Sequence, residues 1–420
     1  MRTYICIDLK SFYASVECAE RGLDPFRADL VVADPDRSKS TICLAITPAM
    51  KAKGVKNRCR IHEIPPGMEY ITAKPRMQLY IDYSARIYGI YLRFVAPEDI
   101  HVYSVDECFI DVTTYLRLYH LTAQQMAHRL MDAVFQETKI TASAGIGTNL
   151  YLAKIAMDIV AKHAPDHIGM LDEISFRQKL WHHLPLTDFW RIGAGTVRRL
   201  ASIGIYTMGD LAQASLDAED LLYKSFGIDA ELLIDHAWGC ESCTMEDIHG
   251  YHSTNHSLSN GQVLMRNYSY EEARVVVREM TDQLVMQMVA SQVITESFTL
   301  WISYDHRFAV PSSGGSVNLG NATDSSRRII AAMDALYTRI ADRGTGIRRI
   351  MLCANHIVKA DFIQYDLFTD PRETDREKRL QQAILAVRRR YGDNSLLRGA
   401  NLLACSTMIE RNQQIGGHRA

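Results

Sequence analysis

The sequence predicts a protein with several α+β domains. Its 420 residues suggest roughly two to four domains, and 47% hydrophobic with 23% charged residues is typical of globular chains. Short strand-like runs alternate with helical patterns in the first part, and short helices punctuated by glycine follow from Thr187. Beyond residue 256, a βαββαβ-like alternation predicts a further small α+β domain.

Each element in the N-terminal part is predicted from a local pattern. The helices follow from apolar side chains at helical spacing, and from Thr47, Pro48 and Gly54 in the order that a helix start and end require. The predicted elements are a strand ending at Asp8, a short helix from Pro48, a helix within 76–95, a β-hairpin within 101–112 and a helix within 149–163.

Charge and hydropathy exclude some classes of protein. The formal net charge of -2 provides no general basic field, so any contact with nucleic acid must come from local patches and backbone amides. No apolar run approaches the roughly 18 residues that a membrane span needs. Asp8 and Lys10 interrupt what would be the apolar core of a signal peptide, so we expect a cytoplasmic protein with no membrane partner.

The nine cysteines are scattered, which suits reduced thiols in a cytosol. Cys240 and Cys243 form one CxxC pair, but no second Cys/His pair lies nearby at zinc spacing. Incidental thiols are therefore favoured over a zinc site.

Three acidic residues indicate a metal-dependent reaction. Asp8 ends a predicted strand, and Asp106 and Glu107 lie in the acidic turn of the predicted hairpin. Hard divalent cations prefer carboxylate oxygens, and phosphoryl transfer uses two such ions. Each acid alone is more often a cap or a solvated surface residue. Adjacent side chains in a strand point to opposite faces, so Asp106 and Glu107 can bind at one site only if the turn redirects one of them.

The residues around these acids resemble a known family. D-x-x-x-F-Y-A-S-x-E at 8–17 and S-x-D-E-x-x-x-D at 104–111 resemble the two acidic motifs of the Y-family DNA polymerases. The resemblance implies two Mg2+ ions, with Mn2+ as a possible substitute, and catalytic roles for Asp8, Asp106 and Glu107. Asp8 and Asp106 would be ligands of both ions, and Glu107 a ligand of the ion that activates the primer 3′-hydroxyl.

Two further charged residues within these motifs are not expected to be ligands. Asp111 is expected to be structural. Lys10 stands where some members of the family carry a third acid.

The resemblance covers nearly the whole chain and implies a right-hand polymerase of the UmuC-like, ImpB-MucB-SamB branch. The segment SKSTICLAITPAMKAKGV distinguishes this branch from the DinB-like one. The expected domains are a palm at 1–11 and 78–168, fingers at 12–77, a helix-hairpin-helix thumb at 169–240, a linker at 241–252, a little finger at 253–358 and a tail at 359–420.

Four residues are candidates for contacts with the incoming nucleotide. Tyr13 matches the family's steric gate, a ring that excludes the 2′-hydroxyl of a ribonucleotide, although Phe12 and Tyr13 could also be plain core aromatics. Phe12, Lys51 and Lys162 are expected near the triphosphate. Pro48 replaces an aromatic residue that DinB-like enzymes use there, but we expect the helix end after Thr47 to offer amides to anionic oxygens.

Lys162 resembles the lysine that follows the family's KIAxD helix. Lys154 and Lys162 are separated by one residue more than is usual in the family. A solvated lysine on a helix face is the alternative reading of Lys162.

The expected DNA contacts lie in the thumb and the little finger. The IGAG run at 192–195 resembles a helix-hairpin-helix, in which Gly193 and Gly195, with Arg198 and Arg199, would bind phosphates without reading sequence. From 253 to 358 the chain has ten Arg, no Lys and nine acidic residues, so any basic face must be segregated. The candidate arginines are Arg327, Arg328, Arg348 and Arg349.

The segment Gln364-Tyr365-Asp366-Leu367-Phe368 resembles the Q-x-x-L-F peptide that attaches bacterial polymerases to the sliding clamp. Gln364, Leu367 and Phe368 are its expected contacts.

The favoured function is therefore template-directed DNA synthesis from deoxynucleoside triphosphates on a primer-template, in translesion synthesis, DNA repair and the SOS response. A catalytically inactive, clamp-bound accessory protein and a two-metal nuclease are alternatives, and a UmuD-like or recombinase partner is not identified by the sequence.

Overall fold

The computed structural model of the protein contains two compact units, Met1–His252 and Ser253–Ala420. The fold is mixed α+β with several sheets, which confirms the predicted fold class. Among the described residues, no helix combines the length and the apolar character needed to cross a membrane. The structure describes residues 2–36, 40–252, 256–360 and 370–420.

The first unit is built on a five-stranded sheet with the order β5-β6-β1-β7-β8. Strand β1 is central, antiparallel to both neighbours, and its apolar side chains are almost completely buried. The predicted hairpin within 101–112 is confirmed, because β5 and β6 pair antiparallel. The strands of this unit are β1 (Tyr4–Leu9), β2 (Leu30–Val32), β3 (Ala45–Ile46), β4 (Ile71–Ala73), β5 (Ile100–Val102), β6 (Glu107–Asp111), β7 (Ala142–Gly147) and β8 (Ile168–Leu171).

The helices of the first unit are α1 (Phe12–Glu20), α2 (Pro48–Ala52), α3 (Met77–Tyr91), α4 (Thr113–Tyr119), α5 (Ala123–Thr138), α6 (Leu150–Ile155), α7 (Glu173–Leu180), α8 (Ala194–Ser202), α9 (Met208–Asp217), α10 (Glu219–Phe226), α11 (Asp229–Trp238) and α12 (Met245–Gly250). Helix α6 lies against β1 and β7. A Cβ atom at Gly145 or Gly147 in β7 would overlap the α6 backbone at Ala153, so glycine is needed for this close approach.

A three-stranded sheet, β3-β2-β4, forms a smaller layer between α1 and α3 in the chain. Its core contains Val31, Ile46 and Met50. Helix α2 begins at Pro48 and is followed by Gly54 with a positive φ of 86°, as the sequence predicts. Thr47 is the N-cap residue, as expected, but its hydroxyl accepts a hydrogen bond from the amide of Leu30 and makes none to α2.

Helices α7 to α11 surround a core that includes Phe176, Phe189 and Leu200. The segment 241–252, which we expected to be a linker, contains α12. Met245 on α12 is buried in a cluster with Tyr4 of β1. A six-residue helix with a single buried side chain shows no apolar periodicity in the sequence, which explains why a linker was expected in place of α12.

The second unit contains a five-stranded antiparallel sheet, in which four strands have the order β11-β10-β12-β9 and the short β13 pairs with β10. Helices α13 and α14 pack on one face, and the order β9-α13-β10-β11-α14-β12 confirms the predicted βαββαβ pattern. The elements of this unit are β9 (Leu258–Tyr268), α13 (Tyr270–Ala290), β10 (Val293–Tyr304), β11 (Ser313–Thr323), α14 (Ser326–Ile340), β12 (Ile347–Asn355), β13 (Val358–Lys359), α15 (Pro371–Tyr391), α16 (Met408–Arg411), β14 (Gln414–Ile415) and β15 (His418–Arg419).

The C-terminal segment differs from the polar tail that we expected. Helix α15 packs on α13, and its buried Gln381 donates hydrogen bonds to the Asp324 carbonyl and to Ser326 Oγ. The buried Glu279 of α13 accepts hydrogen bonds from Asn401 and from the amide of Thr407. Polar residues hold this segment in place, so a composition without apolar periodicity did not predict its fold.

Candidate active site

Three acidic residues meet where β1 ends and β6 begins. Asp8, near the end of β1, lies directly opposite Glu107, the first residue of β6. Asp106 immediately precedes β6, and its carbonyl oxygen accepts a hydrogen bond from the amide of Leu9 at 2.9 Å. The pairing of these two strands therefore places the three acids at one end of the sheet, although they are far apart in sequence.

The bend before β6 gives Asp106 an environment different from that of Glu107. Ser104 Oγ donates a hydrogen bond to a carboxylate oxygen of Asp106 at 2.7 Å, and the Asp106 amide donates to Ser104 Oγ at 3.3 Å. Because Asp106 lies in the bend and not in the strand, strand alternation does not force its side chain away from that of Glu107. The bend therefore allows the side chains of Asp106 and Glu107 to lie at one site.

The negative charge of this cluster is only partly neutralised. Burial, followed by the neighbouring Asp106 and Glu107, raises the pKa of Asp8 to about 7, while Lys154 acts in the opposite direction. A hard divalent cation would stabilise such a group of carboxylates, because these cations prefer oxygen ligands. The donor chemistry therefore fits Mg2+ or Mn2+.

Glu107 is paired with a protein cation. Lys154 Nζ, on α6, lies 2.8 Å from one carboxylate oxygen of Glu107 and 2.9 Å from the other. Cys6 Sγ donates to Glu107 at 3.3 Å, and Lys154 Nζ also lies 3.0 Å from Asp158. In the part of the chain that the structure describes, no three His, Cys, Asp or Glu side chains are arranged to hold a metal ion. Because both oxygens of Glu107 contact Lys154, the three carboxylates are not arranged here as a complete set of metal ligands.

The other two charged residues of the motifs have their own environments. Asp111 accepts a hydrogen bond from the amide of Thr113 at 2.9 Å, at the start of α4. Burial lowers the pKa of Lys10 to about 8 against the opposing effect of Asp8. Asp111 therefore has a structural contact, and Lys10 contributes positive charge beside Asp8.

Tyr13 lies at the start of α1 with its ring half-buried. The ring stacks on that of Tyr80, on α3, with centroids 4.5 Å apart and planes inclined by 18°. Burial and the nearby Asp106 raise the pKa of Tyr13, and Arg58 opposes this shift. The ring therefore lies within electrostatic range of the carboxylate cluster.

Tyr80 is itself held by a buried ion pair that the sequence reasoning missed. Its hydroxyl donates to Glu17 at 2.8 Å, and Arg76 donates two hydrogen bonds to the same carboxylate at 2.9 and 2.8 Å. Glu17 is fully buried. The sequence could have indicated this pair through Glu17 itself, because an unpaired Glu is almost never found on the buried face of a helix.

Phe12 is a core residue, with a side chain only 3% exposed. We expected it among the nucleotide contacts, but this burial removes its side chain from any nucleotide. Only its backbone remains available for that role.

Lys51 and Lys162 are close enough to influence each other. Partial burial and Lys162 lower the pKa of Lys51, whereas Asp8 raises it. The structure thus brings Lys51 into the electrostatic range of Asp8, and Lys162 into that of Lys51. The expected amide site at the start of α2 is wrong, because Pro48 has no N–H, the Ala49 amide donates to Pro25, and the helix has only five residues.

A π-helical turn, Ala156–Val160, follows α6 and leads into a 3-10 turn, Ala161–His163. A π turn accommodates one extra residue within a helix. It therefore accounts for the additional residue between Lys154 and Lys162 without breaking the helical segment.

Two family models match the chain. The impB/mucB/samB family matches residues 7–158, and the C-terminal domain of the same family matches residues 255–367. These matches cover more than half of the chain. The chain belongs to the impB/mucB/samB family, which places it among the Y-family DNA polymerases.

Relatives of full length support this assignment. The chain is 30% identical over 424 residues to DNA polymerase IV 2 of Bacillus subtilis (strain 168), covering 98% of this chain and 97% of that protein. It is 28% identical over 425 residues to UvrX of the same organism, provisionally named a UV-damage repair protein, covering 100% of this chain and 98% of that protein. The fold matches a solved Y-family DNA polymerase chimera of Dbh and Dpo4 with a TM-score of 0.63 and 19% identity, over 85% of this chain and 99% of the chimera. The protein is a DNA-directed DNA polymerase.

Residues 193–195 of the IGAG run, which we expected to lie in a DNA-binding thumb, are exposed. Gly193 precedes α8, and a Cβ atom at Gly193 or Gly195 would meet no neighbouring atom, so the surface there is open. Arg198 is exposed. Arg199 lies over the ring of Phe226 at 4.6 Å.

Helices α13 and α14 cover one face of the sheet in the second unit, and among the described residues the opposite, uncovered face carries exposed side chains. Ile350 and Leu352 of β12 point into the helix-covered core, so Arg349 and Met351 lie on the opposite face. Trp301 of β10 pairs with Met351 on this face, and it is about half exposed. The sequence reasoning did not identify Trp301.

The other candidate arginines have different environments. Arg328 donates to the carbonyl of Leu319 at 3.0 Å, and Arg327 lies 3.7 Å from Glu373. Arg348 lies at an irregularity in the strand register. The clamp-binding candidates Gln364, Leu367 and Phe368 lie outside the described residues.

Proposed function

We propose that this polymerase extends a DNA primer by two-metal catalysis and that it acts on damaged templates in DNA repair and the SOS response. The observation that carries the proposal is the carboxylate cluster, in which like charges and burial raise the pKa of Asp8 to about 7. Asp8 and Asp106 would hold two Mg2+ ions in common, and Glu107 would hold one of them. Bound Mg2+ ions supply a more acidic 3′-hydroxyl and stabilise the leaving pyrophosphate.

The nucleotide would lie between the cluster and the two lysines. Lys51 and Lys162 would bind phosphate oxygens, and the Phe12 backbone would lie beside them. Tyr13 would pack against the sugar, where its ring would collide with a 2′-hydroxyl. Support comes from the pKa shifts, because Asp106 adds to the raised pKa of Tyr13 and Asp8 opposes the lowered pKa of Lys51.

The DNA grip would come from surfaces without a strong net charge. The amides after Gly193 and Gly195, with Arg198 and Arg199, would bind the backbone of the duplex. Arg349 is the candidate little-finger arginine that lies on the uncovered sheet face. Small side chains dominate that face, for example Ser316 opposite Thr299, so phosphate groups could approach the backbone closely.

Its partners would be primer-template DNA, deoxynucleoside triphosphates and a bacterial sliding clamp, and the protein would act in the cytoplasm. Gln364, Leu367 and Phe368 would bind the clamp. The proposed domain limits remain those expected from the sequence, with α12 and the C-terminal segment added as folded parts. An inactive accessory protein would not need the buried carboxylates, and a nuclease would not need the stacked Tyr13.

Replacing Asp106 by Asn tests the proposal, because Asn retains the size of the side chain and loses the charge. We expect primer extension in Mg2+ to fall by several orders of magnitude, while the affinity for primer-template DNA stays within about twofold of the parent, since thumb and little finger make those contacts. Asp132→Asn, at an exposed position of α5, is the matched control. Extension by Asp106→Asn at the parental rate would exclude the metal-binding role of this acid.

A further inference from the structure

Lys154 is a nearly buried cation in direct contact with a catalytic acid. Its side chain is 8% exposed and that of Glu107 is 9% exposed. The ammonium group lies within 2.9 Å of both Glu107 oxygens and 3.0 Å from Asp158. Both carboxylate oxygens of Glu107 are therefore occupied by a group of the protein itself.

The backbone around Lys154 cannot move away easily. Helix α6 lies directly on β7, where a Cβ at Gly145 would already overlap the Ala153 carbonyl. The side chain of Asn149 caps the helix by accepting a hydrogen bond from the Leu152 amide at 2.8 Å. The Lys154 ammonium is therefore held close to Glu107 by packing and not by a flexible surface segment.

A fixed ammonium group and a divalent cation repel each other when they share one carboxylate. In a poorly solvated site this repulsion is stronger than in water. An ion can take an oxygen of Glu107 only if Lys154 gives up one of its contacts or tolerates the second positive charge. Asp158 provides the alternative partner, on the next turn of the same helical segment.

We propose that Lys154 is a resident counter-ion that holds Glu107 in the metal-free enzyme and sets the Mg2+ concentration at which Glu107 takes up its ion. Lys154 is thus a positioning residue, and Asp158 draws its charge away from Glu107. This inference rests on the proposed two-metal function. It requires opposite effects from the loss of Lys154 and the loss of Asp158.

Lys154→Met keeps most of the apolar stem and removes the charge. In EDTA we expect it to melt below the parent, because Glu107 then has no cation. Added Mg2+ should raise its melting temperature more than that of the parent, and half-maximal primer extension should need less Mg2+. A reduction on the order of tenfold corresponds to about 1.4 kcal/mol.

Asp158→Asn should shift the Mg2+ requirement upwards, because Lys154 then pairs with Glu107 alone and one negative charge near Asp8 is lost. Lys154→Arg retains the charge and should stay near the parental requirement. Lys179→Met, at an exposed position of α7, is the control for lysine loss elsewhere. If Lys154→Met does not fold, Lys154→Gln gives the same test without the charge.

An unchanged or increased Mg2+ requirement in Lys154→Met and Lys154→Gln, by melting and by extension, would overturn the inference. A lowered Mg2+ requirement in Asp158→Asn would also overturn it. Failure of the proposed function looks different, because the parent itself would then show no response to Mg2+ and Asp106→Asn would remain active.

Discussion

Replacing Tyr13 by Ala should weaken the selection against ribonucleotides without unfolding the enzyme. The ring is half-buried, stacks on Tyr80 with centroids 4.5 Å apart and lies 5.8 Å from the ring of Phe12, so the part that remains exposed is what a nucleotide could contact. If that side supports the sugar, selection against ribonucleotides comes from a clash that the alanine variant lacks. Deoxynucleotide incorporation should decrease only modestly, through lost packing.

The burial of the ring sets the cost in stability, and the size of the clash with a 2′-hydroxyl sets the change in selectivity. Loss of a half-buried ring with one stacking partner should cost about 1–2 kcal/mol of folding free energy, below the roughly 3–5 kcal/mol of a fully buried ring. Relief of a clash of about 3–4 kcal/mol raises ribonucleotide incorporation about 100- to 1000-fold. The two quantities are separable because one appears in the melting temperature and the other in a ratio of rates.

The assay compares single-nucleotide incorporation efficiencies for one ribonucleotide and its deoxy counterpart. Tyr13→Phe should retain the parental ratio, because the ring and not the hydroxyl supplies the bulk. Tyr83→Ala, at a partly exposed tyrosine of α3, is the matched control for ring loss outside the site. An unchanged ratio in Tyr13→Ala, together with a lower melting temperature, would show that Tyr13 is a core residue and that the gate lies elsewhere.

Three further outcomes test other parts of the structure. Because Asp8 has a raised pKa, ionising it costs stability in the folded state, so stability in EDTA should fall as pH rises from about 4 to about 7. Melts of Asp8→Asn should lack that part of the decline, and an identical pH profile would contradict the assignment. Gly145→Ala should be strongly destabilised or insoluble through overlap with Ala153, whereas a parental melting temperature would show that α6 can shift. Leu367→Ala with Phe368→Ala should abolish clamp binding measured by calorimetry and leave clamp-free synthesis unchanged, and clamp binding equal to the parent's would exclude this peptide.

The elements that depend on local patterns could be predicted from the sequence. Strand β1, the hairpin of β5 and β6, and the βαββαβ order follow from strong apolar periodicity and turn residues. The meeting of Asp8 with Glu107 was expected only by resemblance. No local rule pairs two strands so far apart in sequence.

The remaining features depend on contacts that sequence patterns do not encode. The Thr47 hydroxyl serves Leu30, a residue in another strand, so the capping pattern at α2 was misleading. In the sequence, Lys154 served only to count the residues to Lys162. Its separation of four residues from Asp158 nevertheless indicates a helical ion pair. The C-terminal segment is fixed by polar contacts to Glu279, and their partners cannot be identified before the fold is known.

The π turn at Ala156–Val160 has a consequence for comparing sequences within this family. An inserted residue that a helix absorbs in one wide turn leaves both flanking segments in their original orientation. An ungapped alignment through 154–162 would therefore shift every position after the insertion by one, and would assign the role proposed for Lys162 to a neighbour. A gap placed inside the wide turn keeps the residues on both sides of it in register.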